Sequence, residues 1–271
     1  MSELVFDLQN IFYHYNSEVA ALTDVSFSVA RGARIAILGA NGSGKSTLLR
    51  ILDGLYFPER GKINVFDTPL TEEQLQDEEF AFRFRQRVAL VFQNPDVQLF
   101  NPTVFDEIAF GPLQMRWPKA QIRERVEETL ALFEITHLKN RSPHRLSGGE
   151  KKRVALASVL ILDPEVLLMD EPTAALDPKS QSMVIDFLAG WAGSGKTIVT
   201  TTHDLSTVGE IADHCLIFQH GQLMAQGAPA TILGDNDLLQ RTNLIHVHRH
   251  VHDGQGIHSH PHQHIGHAHP H

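Results

Sequence analysis

The chain has 271 residues, 42% of them hydrophobic and 20% charged, enough for one large domain or two small ones whose core needs no disulfide. A formal charge of −9 and an isoelectric point near 6.0 speak against nucleic acid as a partner, since that normally needs a basic face. No secretory leader is expected from Met1-Ser2-Glu3-Leu4-Val5-Phe6-Asp7, and the best candidate membrane span, Val154 to Met169, is cut by Asp163, Pro164 and Glu165.

Period-two alternation predicts two strands between Val5 and Val29, parted by a loop at Asn16-Ser17-Glu18. Arg34 to Leu38 is a short apolar strand, and a helix is predicted over Ser46 to Leu55. Between them, Gly39-Ala40-Asn41-Gly42-Ser43-Gly44-Lys45-Ser46 has the phosphate-binding loop pattern in its proper strand–helix setting, with Thr47 next in the turn. Its glycines let backbone N–H groups wrap a β-phosphate where a Cβ would clash. Lys45 brings a point charge to the β- and γ-phosphates, Ser46 offers a hydroxyl to Mg²⁺, and the helix adds its positive end.

The character changes near residues 94 to 160. Gln121 to Phe133 and Gly148 to Leu162 read as helices, which suggests a helical insertion in an α/β sheet domain. Leu146-Ser147-Gly148-Gly149-Glu150 opens the second of these helices, so its N–H groups form another anion site. Val166-Leu167-Leu168-Met169-Asp170-Glu171 is an apolar strand ending in two carboxylates, which implies a cation or a proton to handle. Asp170 would hold Mg²⁺ through water, and Glu171 would polarise the attacking water as general base. After a helix at Ser180 to Ala189, Gly190-Trp191-Ala192-Gly193-Ser194-Gly195-Lys196-Thr197 repeats the phosphate-loop pattern in the wrong order, helix before and strand after. It is expected to turn the chain and to bind nothing. Thr197 to Thr200 is the next strand and Thr201-Thr202-His203-Asp204 follows it; alone, such a histidine is more often structural. Short strands at Cys215 to Phe218 and Leu223 to Gln226 are expected to close the fold, with the lone Cys215 a buried, inert thiol.

The string from Leu146 to Glu150, in company with the phosphate loop and the carboxylate pair, resembles the signature of the ABC ATPases over roughly residues 3 to 235. The resemblance implies an α/β P-loop NTPase core with a helical subdomain and an N-terminal β subdomain. It implies that Ser147, Gly148 and Gly149 face the γ-phosphate held by another protomer, so that ATP joins a homodimer or a pseudo-symmetric dimer. Gln93, in Val91-Phe92-Gln93-Asn94-Pro95, matches the glutamine that touches Mg²⁺ and the water; His203 matches the switch histidine of the γ-phosphate. Ala174-Ala175-Leu176-Asp177 matches the loop that crosses the dimer interface, with Ala175 in place of the usual glycine. Tyr15 matches the aromatic that stacks on adenine; Tyr13 competes, and spacing to Leu22-Thr23-Asp24-Val25 favours Tyr15. Working membrane subunits would be separate, and this chain peripheral on the cytoplasmic face.

Asn94-Pro95-Asp96-Val97-Gln98-Leu99-Phe100 and Thr103 to Pro112 resemble the ATPase subunits of energy-coupling-factor importers, which take up vitamins, cobalt or nickel. From about Ile245 the composition shifts: His246, His248, His250, His252, His258, His260, His262, His264, His267, His269 and His271 make up eleven of the seventeen histidines. Few apolar residues remain to bury, so a disordered tail over 245–271 is expected beyond an ATP-binding domain at 1–240. Neutral imidazoles suit Ni²⁺ and Co²⁺, and a chain of this length reaches ~25–30 Å. The reading is therefore an importer ATPase for a transition metal, nickel ahead of cobalt. A vitamin importer and a soluble ABC ATPase outside transport remain as alternatives, whereas a GTPase chaperone would need a guanine-reading Asn/Thr-Lys-x-Asp string that is absent.

Overall fold

The computed structural model describes residues 3–16, 19–174, 176–191, 193–252 and 255–262. Two long strands, β1 (Leu4–Tyr15) and β2 (Val19–Ala30), pair antiparallel as their alternation predicts. After β3 (Arg34–Leu38) and α1 (Lys45–Leu52), β4 (Arg60–Val65) and β5 (Thr68–Pro69) complete a four-stranded sheet of order β2-β1-β4-β5. The chain then runs through α2 (Glu72–Gln76), α3 (Glu78–Arg87) and β6 (Val88–Val91) into the helical segment α4 (Val104–Gln114), α5 (Lys119–Leu132) and α6 (Gly148–Leu160). It returns as β7 (Val166–Asp170), α7 (Pro178–Gly190), β8 (Thr197–Thr202), α8 (Val208–Ile211), β9 (His214–Gln219) and β10 (Gln222–Gly227). The second sheet has the order β10-β9-β3-β8-β7-β6, parallel except for β10.

The central strands are apolar throughout because both faces of the sheet are covered. Ile35 and Ile37 of β3 face one core with Leu8, Leu48, Leu168 and Val199, formed with α1 and the four-stranded sheet. Ala36 and Leu38 turn the other way, toward Ile108, Val126, Val154 and Met169 of the helical side and β7. Each large side chain so buried is worth about 1.5–3 kcal/mol. The parallel strands end on one edge, with Leu38 beside Thr202 and Asp170 beside Thr201. That carboxyl-end edge is where an open α/β sheet leaves room for a ligand.

One expectation needs correction. Strands β9 and β10 do not close the fold: α9 (Pro229–Gly234) and α10 (Asn236–Arg241) follow, and Ile232, Leu239, Leu244 and Ile245 are buried in the helical-side core. The histidine-rich tail is described over His246–His252 and Gln255–His262. There β11 (His246–His252) pairs antiparallel with β12 (Gln255–His262), His246 opposite His262 and His250 opposite His258. Histidine alternating with other residues is itself a period-two pattern. His264, His267, His269 and His271 lie outside the described residues, as does Ala175. Among the described residues, no helix is long and apolar enough to cross a membrane.

Candidate functional site

Helix α1 begins differently from α4, α6 and α7. Thr103, Ser147 and Asp177 cap α4, α6 and α7 through side-chain oxygens. In contrast, Gly44 at the start of α1 has φ 101° and no side-chain cap, and the first turn carries no acidic residue. The N–H groups of that turn are thereby left to an anion. Glycine is required there: a Cβ on Gly44 would lie 2.5 Å from the Ala21 carbonyl oxygen, and one on Gly39 2.5 Å from that of Phe218.

The loop borders an open cleft of about 450 Å³ lined by Asn41 to Thr47, Tyr15, Gln93 and Glu171, among others. Lys45 is 5% exposed, and its Nζ donates to the carbonyls of Gly39 (2.7 Å) and Ala40 (3.2 Å). Burial pushes the Lys45 ammonium below its usual range, while Glu171 and Asp170 pull it back up. The Ser43 hydroxyl is buried with no partner among the described residues, as an orphan in a ligand cradle would be.

Glu171 is the hub. Its Oε1 lies 3.8 Å from Lys45 Nζ and 3.2 Å from His203 Nδ1, and its Oε2 accepts from Gln93 Nε2 at 3.1 Å. Its backbone is left-handed, φ 43°, an uncommon setting for a residue with a Cβ. Thr201 holds both carboxylate residues in place: its Oγ1 donates to Asp170 Oδ1 (2.7 Å) and accepts from the Glu171 N–H (2.9 Å). Gln93 spends its amide nitrogen on Glu171, which turns its oxygen the other way. Ser46, Gln93 and Asp170 thus offer hard oxygen donors, a set that suits Mg²⁺.

Tyr15 lines the cleft with its hydroxyl 2.8 Å from Thr47 Oγ1, whereas Tyr13 is not among the lining residues. Tyr13 instead stacks on Tyr56, centroids 5.3 Å apart, and Tyr15 stands edge-on to both rings. Ser147 and Gly149 do not line this cleft, and Gly148 borders a second one with Gln93 and Lys152. Ser147 forms a full capping box with Glu150, and a Cβ on Gly149 would lie 2.7 Å from Ser180 Oγ. The second phosphate-loop pattern runs from α7 to β8 as its order predicts, with Ala192 outside the described residues. Its Lys196 pairs with Asp163, donates to the Pro164 carbonyl and lies over the Trp191 ring. Thr201, hidden in a run of threonines, and Lys152, which looks like one more surface lysine, carry no local signal in the sequence. Cys215 is buried, and burial pushes its thiol up to about 11.

A family model described as ABC transporter matches residues 22–174. The chain belongs to the ABC transporter family. It is 54% identical over 243 residues to a nickel import ATP-binding protein NikO of Rhodobacter capsulatus, covering 89% of this chain and 95% of that one. It is 39% identical over 241 residues to an energy-coupling factor transporter ATP-binding protein EcfA1 of Methanospirillum hungatei, 89% of this chain and 85% of that one. Among solved structures it is similar to cbiO1 of Clostridium perfringens, described as part of the ABC transporter complex cbiONQ. There the TM-score is 0.74 and the identity 34%, over 89% of this chain and 95% of the other. The dimeric ATP-binding cassette MJ0796, in a post-hydrolysis state with ADP and Pi, gives a TM-score of 0.74 at 27% identity, over 83% and 98%. The chain is thus an ATP-hydrolysing ABC importer ATPase of the nickel/cobalt or energy-coupling-factor type.

Proposed function

We propose that this ABC ATPase powers uptake of a transition-metal ion, nickel ahead of cobalt, through separate integral membrane subunits. It would work as a homodimer or a pseudo-symmetric dimer on the cytoplasmic face of the membrane. The observation that carries the metal is the 54% identity, across nearly the whole chain, to a nickel import ATP-binding protein. The eleven histidines between His246 and His271 supply the matching chemistry as a loose site for Ni²⁺ or Co²⁺. The ATP-binding domain is residues 1–240, with a helical subdomain near 94–160 and the histidine-rich segment at 245–271.

In this reading ATP enters the cleft of the phosphate loop, its triphosphate on Gly39 to Thr47 and its base against Tyr15. Ser46 and Gln93, with Asp170 through water, would hold Mg²⁺, which would neutralise phosphate charge when bound. Lys45 exchanges its hydrogen bonds to the loop carbonyls for phosphate oxygens, which frees Glu171 of its nearest cation. Glu171 takes the proton of the attacking water, while Gln93 and His203 hold its carboxylate; the 3.1 and 3.2 Å contacts support those positions. Ser147, Gly148 and Gly149 of a second chain would complete the γ-phosphate site, which fits their absence from the cleft of their own chain.

Uptake of labelled nickel and labelled cobalt, measured separately in a strain lacking the chain and in the complemented strain, tests the proposal. Restored nickel uptake at low metal is the expected result. Restoration of a vitamin and of neither metal would overturn the substrate.

A further inference from the structure

Lys152 lies on α6, two residues past the signature, and is 2% exposed. Its Nζ donates to the carbonyl oxygens of Phe92 (3.0 Å) and Gln93 (3.4 Å), beyond the end of β6. No carboxylate lies within ion-pair distance of it among the described residues. An ammonium so buried is costly, and an apolar side chain would fill the space without that cost. The retained charge therefore needs a reason other than packing.

The neighbouring contacts supply one. Lys151 pairs with Asp96 at 2.6 Å. Gln98 donates to the Ala155 carbonyl (2.8 Å) and Ser158 (3.2 Å), and accepts from the Phe92 N–H at 3.3 Å. Segment 92–98 is thus fastened to α6 at three points, and Lys152 is the one next to Gln93. Gln93 in turn meets Glu171 at 3.1 Å. Burial brings the Lys152 ammonium down to about 8, against the pull of Asp170 and Glu171, so its charge is felt at the carboxylate pair as well.

We propose that Lys152 is a positioning residue for ATP hydrolysis: by holding the Phe92 and Gln93 carbonyls against the signature helix, it fixes where the Gln93 amide meets Glu171. The proposal rests on Glu171 as base and Gln93 as its partner. A reacting group displaced by about 1 Å can lose ~10²-fold in rate. Lys152→Met is accordingly expected to lower kcat by about 10–100-fold while the KM for ATP and the binding of a fluorescent ATP analogue stay nearly constant.

The test is steady-state hydrolysis by the full-length chain, with melting curves beside it. Lys152→Met, Lys152→Arg, Gln93→Ala, the double variant Lys152→Met/Gln93→Ala and Glu171→Gln are compared with the wild type. Support would be a loss confined to kcat, substantial recovery in Lys152→Arg, and a double variant no slower than Gln93→Ala alone, because the two residues then act on one contact. Should Lys152→Met fail to fold, Lys152→Gln replaces it under the same criteria. Wild-type kcat in a folded variant overturns the proposal, as do losses that multiply in the double variant. Hydrolysis retained in Glu171→Gln would sink the underlying assignment of the base instead, whatever Lys152 does.

Discussion

Glu171 combines two features that separate its chemistry from its fold. It is 7% exposed among Lys45, Gln93 and His203, and its backbone is left-handed, a conformation costing roughly 1–3 kcal/mol for a residue with a Cβ. Glu171→Gln keeps the size and the contact with Gln93 while removing the proton acceptor. Turnover should fall ~10²–10⁴-fold with ATP still bound, and gel filtration with ATP should show a persistent dimer. Activity within threefold of the wild type would remove Glu171 from the role. Lys45→Ala acts earlier: loss of a charged hydrogen-bond donor to phosphate should weaken ATP about 10–100-fold in an equilibrium binding assay. Lys196→Ala serves as contrast. Its partners are Asp163, the Pro164 carbonyl and Trp191, so ATP affinity and turnover should hold while Tm drops by about 2–4 °C.

Between elements, the clearest electrostatic joint is Glu165, just before β7. Arg87 at the end of α3 donates to it at 2.6 Å, and Arg31 after β2 at 2.8 Å. These two guanidiniums hold the Glu165 carboxyl below its ordinary value near 4.5, with some opposition from burial. A carboxyl lowered in the folded state stabilises above its unfolded pKa and ceases to as pH falls through the folded one. Melting of Glu165→Gln should therefore lie below wild type at pH 7, and the gap should close as pH falls below the ordinary value near 4.5 and through the lower folded one. A constant gap would mean that shape alone matters there. Elements built on one dominant signal were legible in the sequence: the alternating β1 and β2, the apolar β7 and β8, the phosphate loop and the capped α6. Helix α3 was not, since Phe80, Phe82 and Phe84 alternate as a strand would. Its helicity rests on the Asp77 cap, with Glu78 and Glu79 at the start and Arg85 and Arg87 at the end. Of the candidate site, Lys45, Gln93, Glu171 and Tyr15 were readable from motifs. The supports Thr201 and Lys152 depend on which strand end meets which helix, and no local pattern encodes that.

At the scale of the molecule, Leu244 and Ile245 are both buried against the helical side. Deleting residues 246–271 should then leave melting and basal ATP hydrolysis unchanged. Weak binding of Ni²⁺ or Co²⁺ should largely vanish in titration calorimetry. In the full chain it should fade below about pH 6, where imidazoles of pKa near 6.5 take up protons in competition with metal. Equal metal stoichiometry in the two chains would make the segment an appendage without that chemistry.

The single cysteine has a practical consequence. Cys215 lies buried in β9 with its thiol pushed up to about 11, so at neutral pH almost none of it is thiolate and reagents cannot reach it. For maleimide chemistry the native protein therefore behaves as a cysteine-free background. A cysteine introduced at the exposed Phe100 or Val97 would take a spin label or fluorophore alone, with no prior mutagenesis to silence other sites. Distances measured between two such labels through a cycle of nucleotide binding and release would then be read in an enzyme that keeps its own Cys215.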